Sequence, residues 1–107
     1  MVDLKLKIEF GGGLELLFSN RRTHFVDIPS TKQQGDREGE PVDMDFLIHW
    51  LRSNSLKERP ELFVENETLR PGILVLVNDI DWELEGEGDY RLKDGDEIVF
   101  ISTLHGG

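Results

Sequence analysis

Residues 97–107 read EIVFISTLHGG, and their reading decides how the rest of the chain must fold. Ile98, Val99, Phe100 and Ile101 are apolar at consecutive positions, with β-branched and aromatic side chains that suit extended backbone. Alternation would mark a strand with one wet face. An unbroken apolar run marks a strand buried on both faces, and so one at the centre of a sheet. A central strand needs a neighbour on each side, yet only Ser102, Thr103, Leu104, His105, Gly106 and Gly107 follow the run. Chain ends commonly fray without consequence. The other reading is that this tail projects from the body and its terminal carboxylate is the working group.

The neighbours are found on either side in sequence. ILVLV (73–77) and IDWEL (80–84) flank Asn78 and Asp79, two residues that accept left-handed backbone, which predicts a tight hairpin. EGEGD (85–89) is read as a loop and KDGDE (93–97) as a turn centred on Gly95. At the other end of the chain, Leu4, Leu6, Ile8 and Phe10 alternate with Lys5, Lys7 and Glu9, a strand with one apolar face. Gly11, Gly12 and Gly13 predict a turn, and LELLF (14–18) the returning strand of a hairpin. THFVDI (23–28) is a third extended segment or a continuation of the sheet edge, closed by Pro29.

A sheet with one apolar face needs a cover. Met44, Leu47, Ile48 and Leu51 recur at i, i+3, i+4 and i+7 behind Asp43, whose carboxylate can cap the first turn; this is the one convincing helix, ending at 53–55. RPELF (59–63) predicts a short helical turn with Pro60 at its start. Residues 30–41, STKQQGDREGEP, contain no apolar side chain and read as an exposed flexible loop. The order is hairpin, helix, hairpin, final central strand. It predicts an α+β fold: a mixed sheet of four to five strands covered on one face by one main helix. All 107 residues form one domain in this reading, with a flexible tail at 103–107.

Composition narrows the chemistry. With no cysteine, disulfides, thiolate metal sites and cysteine nucleophiles are excluded within the chain. Twenty-two acids against 12 bases give a net charge of −10, so a phosphate backbone would repel the chain and direct nucleic-acid binding is not expected. The acidity either keeps a small domain soluble or steers it into basic clefts on partner proteins. No apolar run approaches the ~20 residues of a membrane span, and the N-terminus alternates where a signal peptide would be continuously apolar. The expected compartment is the cytoplasm, with the nucleus as a second candidate, and the expected state is a monomer.

The segments RPGILVLVNDIDWELEGEGDY (70–90), LKDGDEIVFISTLHGG (92–107), FGGGLELLF (10–18) and KERPELF (57–63) resemble the ubiquitin-related modifiers. These are β-grasp proteins of the ubiquitin superfold that act as sulfur carriers in tRNA thiolation. The resemblance covers nearly the whole chain and is densest over 56–107. It implies that the chain is not an enzyme but the substrate of one. An E1-like adenylating sulfurtransferase would use ATP to adenylate the carboxyl of Gly107. Sulfur from that partner's rhodanese-type domain would then make a thiocarboxylate. The tRNA thiolation enzyme complex would use this sulfur for 2-thiolation of wobble uridine, and the activated terminus could be joined to lysines of target proteins. Gly106, His105 and Leu104 are the tail residues the resemblance implies for activation. Gly106 and Gly107 lack Cβ, so such a tail fits a narrow channel. No processing step is expected, since the chain ends on Gly107.

Two other readings stand beside this one: the small subunit of a molybdopterin synthase, which also ends in Gly-Gly, and a non-conjugating ubiquitin-like module bound through its sheet face. His105 could act in acid–base chemistry, but the partner supplies catalysis and a contact role is expected. His24 and His49 have no ligand-spaced companions and are expected to be structural. The acids of 79–97 lack the ordered spacing of a calcium loop, and Gly11–Gly13 lack the Lys-Ser/Thr of a phosphate cradle. Trp50 and Trp82 are expected at the core or its edge. No stably bound cofactor or metal, and no nucleophile–base pair, is expected.

Overall fold

The computed structural model describes residues 3–33 and 35–103. The first strand, β1 (Asp3–Gly11), follows from its alternation, with Leu4, Leu6, Ile8 and Phe10 buried. Its hairpin partner is β2 (Thr23–Pro29), antiparallel, with Leu4 opposite Ile28 and Glu9 opposite Thr23. The strand expected over 14–18 is instead a 3-10 turn, Leu14–Leu17. Gly12 and Gly13, at φ of 67° and 102°, swing the chain out of the sheet. The next apolar residues are spaced for a helical turn: Leu14, Leu17 and Phe18 are buried while Leu16 is exposed. Ser19 and Asn20, both left-handed, return the chain to β2. THFVDI is thus the second strand, at the sheet edge, where Pro29 removes no interior hydrogen bond.

Helix α1 (Met44–Asn54) buries Met44, Leu47, Ile48 and Leu51, and Asp43 caps it as expected, its Oδ1 accepting from the Phe46 amide at 2.9 Å. The second carboxylate oxygen accepts from Lys32 Nζ at 3.1 Å, with both side chains largely buried. Lys32 reaches Asp43 because the polar segment closes on itself across its base. The Lys32 amide donates to the Glu40 carbonyl, the Gly39 amide donates to the Lys32 carbonyl, each at 2.8 Å, and Thr31 bridges Pro41. Asp43→Ala removes the cap and strands the Lys32 ammonium, so it is expected to lower stability by about 2 kcal/mol in urea unfolding. Lys32→Met keeps the cap and is expected to cost less than half of that.

Pro60 opens the expected helical turn, Pro60–Leu62. After it comes a small separate sheet that the sequence reading missed, β3 (Val64–Glu65) paired with β4 (Thr68–Leu69) around left-handed Asn66 and Glu67. Strand β5 (Ile73–Val77) turns through Asn78 and Asp79, both left-handed, into β6 (Ile80–Asp81). The return is shorter than the expected 80–84. The Asp81 carboxylate accepts from the Glu83 amide at 2.9 Å and caps a 3-10 turn at Trp82–Leu84. A second such turn, Glu87–Asp89, occupies the expected loop.

The last strand, β7 (Glu97–Ser102), lies where its apolar run put it. The sheet order is β2-β1-β7-β5-β6, with β7 parallel to β1 and antiparallel to β5. The five-stranded mixed sheet with one main helix matches the expected architecture. The expectation of burial on both faces holds for one face alone. Ile98 and Phe100 are fully buried under the helix layer, whereas Val99 and Ile101 are half-buried because no layer covers the outer face.

Candidate functional site

The end of β7 is the described part of the chain nearest in sequence to the expected site residues. Since β7 runs parallel to β1, its last residues reach the sheet end where β1 also finishes. Ile101 lies opposite Gly11, and Ser102 lies opposite Ile73 at the start of β5. Two glycines hold the chain there. A Cβ on Gly12 would come 2.2 Å from the Ser102 carbonyl oxygen, so the turn after β1 can close over the strand only without a side chain. On the other side, the Gly72 carbonyl accepts the Thr103 amide at 2.9 Å and also the Thr103 hydroxyl.

Beneath the end of β7 lies an aromatic cluster. Phe10 stacks on Phe18 with centroids 3.8 Å apart and on Phe100 at 5.7 Å. Phe63 meets Phe18 edge-on at 5.2 Å and Phe100 at 5.5 Å. All four rings are at most 1% exposed, so the end of β7 is anchored in fully buried aromatic packing.

On the outer sheet face, apolar side chains gather near the end of β7. Leu74 lies opposite Ile101 and Leu76 opposite Val99, forming a contiguous partly open patch with Leu74 37% exposed. Phe25 on the edge strand β2 is 76% exposed, and its neighbour Val26 is buried. Between Phe25 and the patch run Lys7 and Glu97, opposite each other in register and 3.9 Å apart.

Leu104, His105, Gly106 and Gly107, the expected site residues, lie outside the described residues. The other flagged residues are placed in structural roles. His24 Nε2 bonds the Arg21 carbonyl at 3.0 Å, and His49 Nε2 bonds the Glu67 carbonyl at 3.1 Å. Trp50 and Trp82 pack part-buried against the core. Among the described residues, no group of three or more His, Asp or Glu side chains is arranged to hold a metal. No described helix is long and apolar enough to cross a membrane. The role of Gly12 and Gly72 escaped the sequence reading. The triple glycine signalled a special backbone there, but not that it closes on a strand ninety residues away.

The comparisons with known proteins agree with this arrangement. The sequence model of the family described as Urm1 (Ubiquitin related modifier) matches residues 5–107. The chain is 63% identical to Ubiquitin-related modifier 1 of Coprinopsis cinerea, over 97% of this chain and 93% of that protein. It is 53% identical to Ubiquitin-related modifier 1 of Homo sapiens, over 97% and 96%. The solution structure of Urm1 from Trypanosoma brucei superposes with a TM-score of 0.77 at 42% identity, covering 98% of this chain and 97% of that one. With the family pattern running through both glycines at the end of the tail, the chain belongs to the Urm1 family of β-grasp, ubiquitin-related modifiers.

Proposed function

We propose that the carboxyl of Gly107 is the reactive group, and that this chain carries sulfur to tRNA by way of it. A carboxylate resists nucleophiles because its leaving group would be oxide. Attack of the carboxylate on the α-phosphorus of ATP, with pyrophosphate leaving, gives an acyl-adenylate whose leaving group is AMP. An E1-like partner supplies the site for this step. The terminal sulfur of a persulfide on the partner's rhodanese-type domain then attacks the acyl carbon and AMP departs. Cleavage of the S–S bond by a thiol leaves a thiocarboxylate on Gly107. That sulfur serves 2-thiolation of wobble uridine within the tRNA thiolation complex, and the activated acyl group can alternatively be taken by a lysine amine of a target protein. The chain acts as a cytoplasmic monomer and needs no cofactor of its own, since ATP binds the partner.

The observation that carries this reading is the match to the Urm1 family through Gly107, five residues in sequence beyond a strand fixed in the sheet centre. Fixing Thr103 has a consequence for docking. Four residues span at most ~14 Å, so the partner's adenylation site must come within that distance of the sheet end. The Leu74 and Ile101 patch near the end of β7 is then well placed to meet the partner's surface. Holding the tail's base also limits how much freedom is lost when the carboxyl enters the site.

Incubation with the cognate activating enzyme, ATP and a sulfur donor is expected to give the mass gain of one oxygen-to-sulfur exchange, read by intact-mass spectrometry. One residue appended after Gly107, or deletion of Gly107, is expected to abolish it. If Gly107 stays an ordinary carboxylate while the enzyme sulfurates a proven carrier, the proposal fails. Rescue of tRNA thiolation, and not of molybdenum cofactor, in cells lacking each carrier would separate it from the molybdopterin-synthase alternative.

A further inference from the structure

Away from the open sheet face, on the helix-covered side, a recess of about 320 Å³ lies between α1, β4 and the short helical turns after β6. Its apolar lining is Ile48, Leu69 and Trp82, and its polar lining includes Asp45, Glu87 and Thr68. The wall is drawn close to the helix at Gly88, where a Cβ would already touch the Asp45 Cβ at 3.5 Å. Among the described residues the Glu87 carboxylate has no ion-pair partner, and Asp45 has only His49 at 3.8 Å. The stretch that forms much of the wall, 79–89, carries six carboxylates and no basic residue.

We propose that this recess takes the side chain of a basic residue, lysine or arginine, presented by a segment of a partner protein. Four features select that occupant. The indole of Trp82 attracts a cation through its ring quadrupole. Asp45 and Glu87 supply negative charge where the cationic head would sit, and the acidic stretch around them raises the local concentration of basic segments. Ile48 and Leu69 offer apolar surface for the methylene stem that lysine and arginine carry. Anionic groups are repelled, and a purely apolar side chain would bury the two carboxylates without a partner. The recess lies on the opposite layer from the Leu74 and Ile101 patch. A protein held here therefore does not compete with one docked on the outer sheet face, and the inference stands whether or not the sulfur-carrier reading does.

The test is an amide chemical-shift titration of the full chain with a short Gly/Ser peptide bearing one arginine, or one lysine. Peptides with citrulline or acetyl-lysine in the same place, and free spermidine, are the controls. The expected result is a saturable response centred on the Trp82 indole and the amides of Leu69 and Gly88. Glu87→Gln, an exposed substitution, is expected to raise the dissociation constant about fivefold, and Glu87→Gln with Asp45→Asn further. Equal responses to the neutral peptides, tighter binding of spermidine than of either peptide, shifts spread evenly over the acidic surface, or unchanged binding by Glu87→Gln would each overturn the proposal.

Discussion

Gly12→Ala is expected to lower stability by about 3 kcal/mol and to slow activation of the C-terminus as well. Two penalties combine. At φ of 67° the residue is left-handed, which by itself costs an L side chain about 1 kcal/mol. In addition, the new Cβ would meet the Ser102 carbonyl oxygen at 2.2 Å, and both are attached to backbone, so the collision cannot be relieved by turning a side chain. Either the turn after β1 lifts or the end of β7 moves. Both disturb the end of β7, the strand that precedes the C-terminal residues in sequence. Gly13→Ala separates the two terms, since Gly13 is also left-handed, at φ of 102°, but has nothing within 4 Å of its Cβ position. It is expected to cost about 1 kcal/mol and to leave pyrophosphate release by the activating enzyme unchanged. Equal losses in the two variants, by urea unfolding and by that rate, would show that Gly12 does not hold the end of β7.

This pair of glycines also shows where sequence reading stops. Strand β7 and helix α1 were legible because each writes a periodic or unbroken apolar pattern over several residues, and Asp43 marks its own helix start. The Asn78–Asp79 turn was legible for the same local reason. LELLF was misread because five residues fit a strand and a helical turn alike, and only the depth of Leu14, Leu17 and Phe18 chooses between them. Strands β3 and β4 have two residues each, too few to show any period. The apolar run of β7 gave its central position but overstated its burial, since an uncovered outer face can be apolar when it serves contact. The family was legible from FISTLHGG and the hairpin before it. The clamp on the end of β7 was not, because Gly12 with Ser102 and Gly72 with Thr103 are contacts between segments distant in sequence.

The other large effect is expected at Asp96, which is 5% exposed and joins two segments to the start of β7. Its Oδ2 accepts from the Tyr90 hydroxyl at 2.8 Å and the Lys93 amide at 2.9 Å, and its Oδ1 from Asn78 Nδ2 at 3.0 Å. Asn78 in turn accepts the Glu97 amide at 2.9 Å, so the β5–β6 turn and the 90–93 segment are tied together through one carboxylate. Asp96→Asn is nearly isosteric, yet an amide has one acceptor and one donor end. In either orientation its NH₂ faces a group that can only donate, or competes for the Tyr90 hydroxyl. The expected loss is about 3 kcal/mol, since each buried donor left without an acceptor costs ~1–3 kcal/mol. Alkaline unfolding gives a second readout. Partial burial, the hydrogen bond to Asp96 and the nearby charges of Asp96 and Glu85 raise the Tyr90 phenol above its ordinary range. The folded protein therefore keeps this proton when the unfolded chain sheds it. The contribution is complete below the ordinary tyrosine value of about 10 and is lost as pH rises beyond it. Tyr90→Phe, which cannot titrate, should show a flatter decline over that window than the wild type, after both are referred to their stability at neutral pH. Parallel declines would mean that Asp96 does not hold the phenol protonated, and the carboxylate's part in fixing the start of β7 would have to rest on its amide contacts alone.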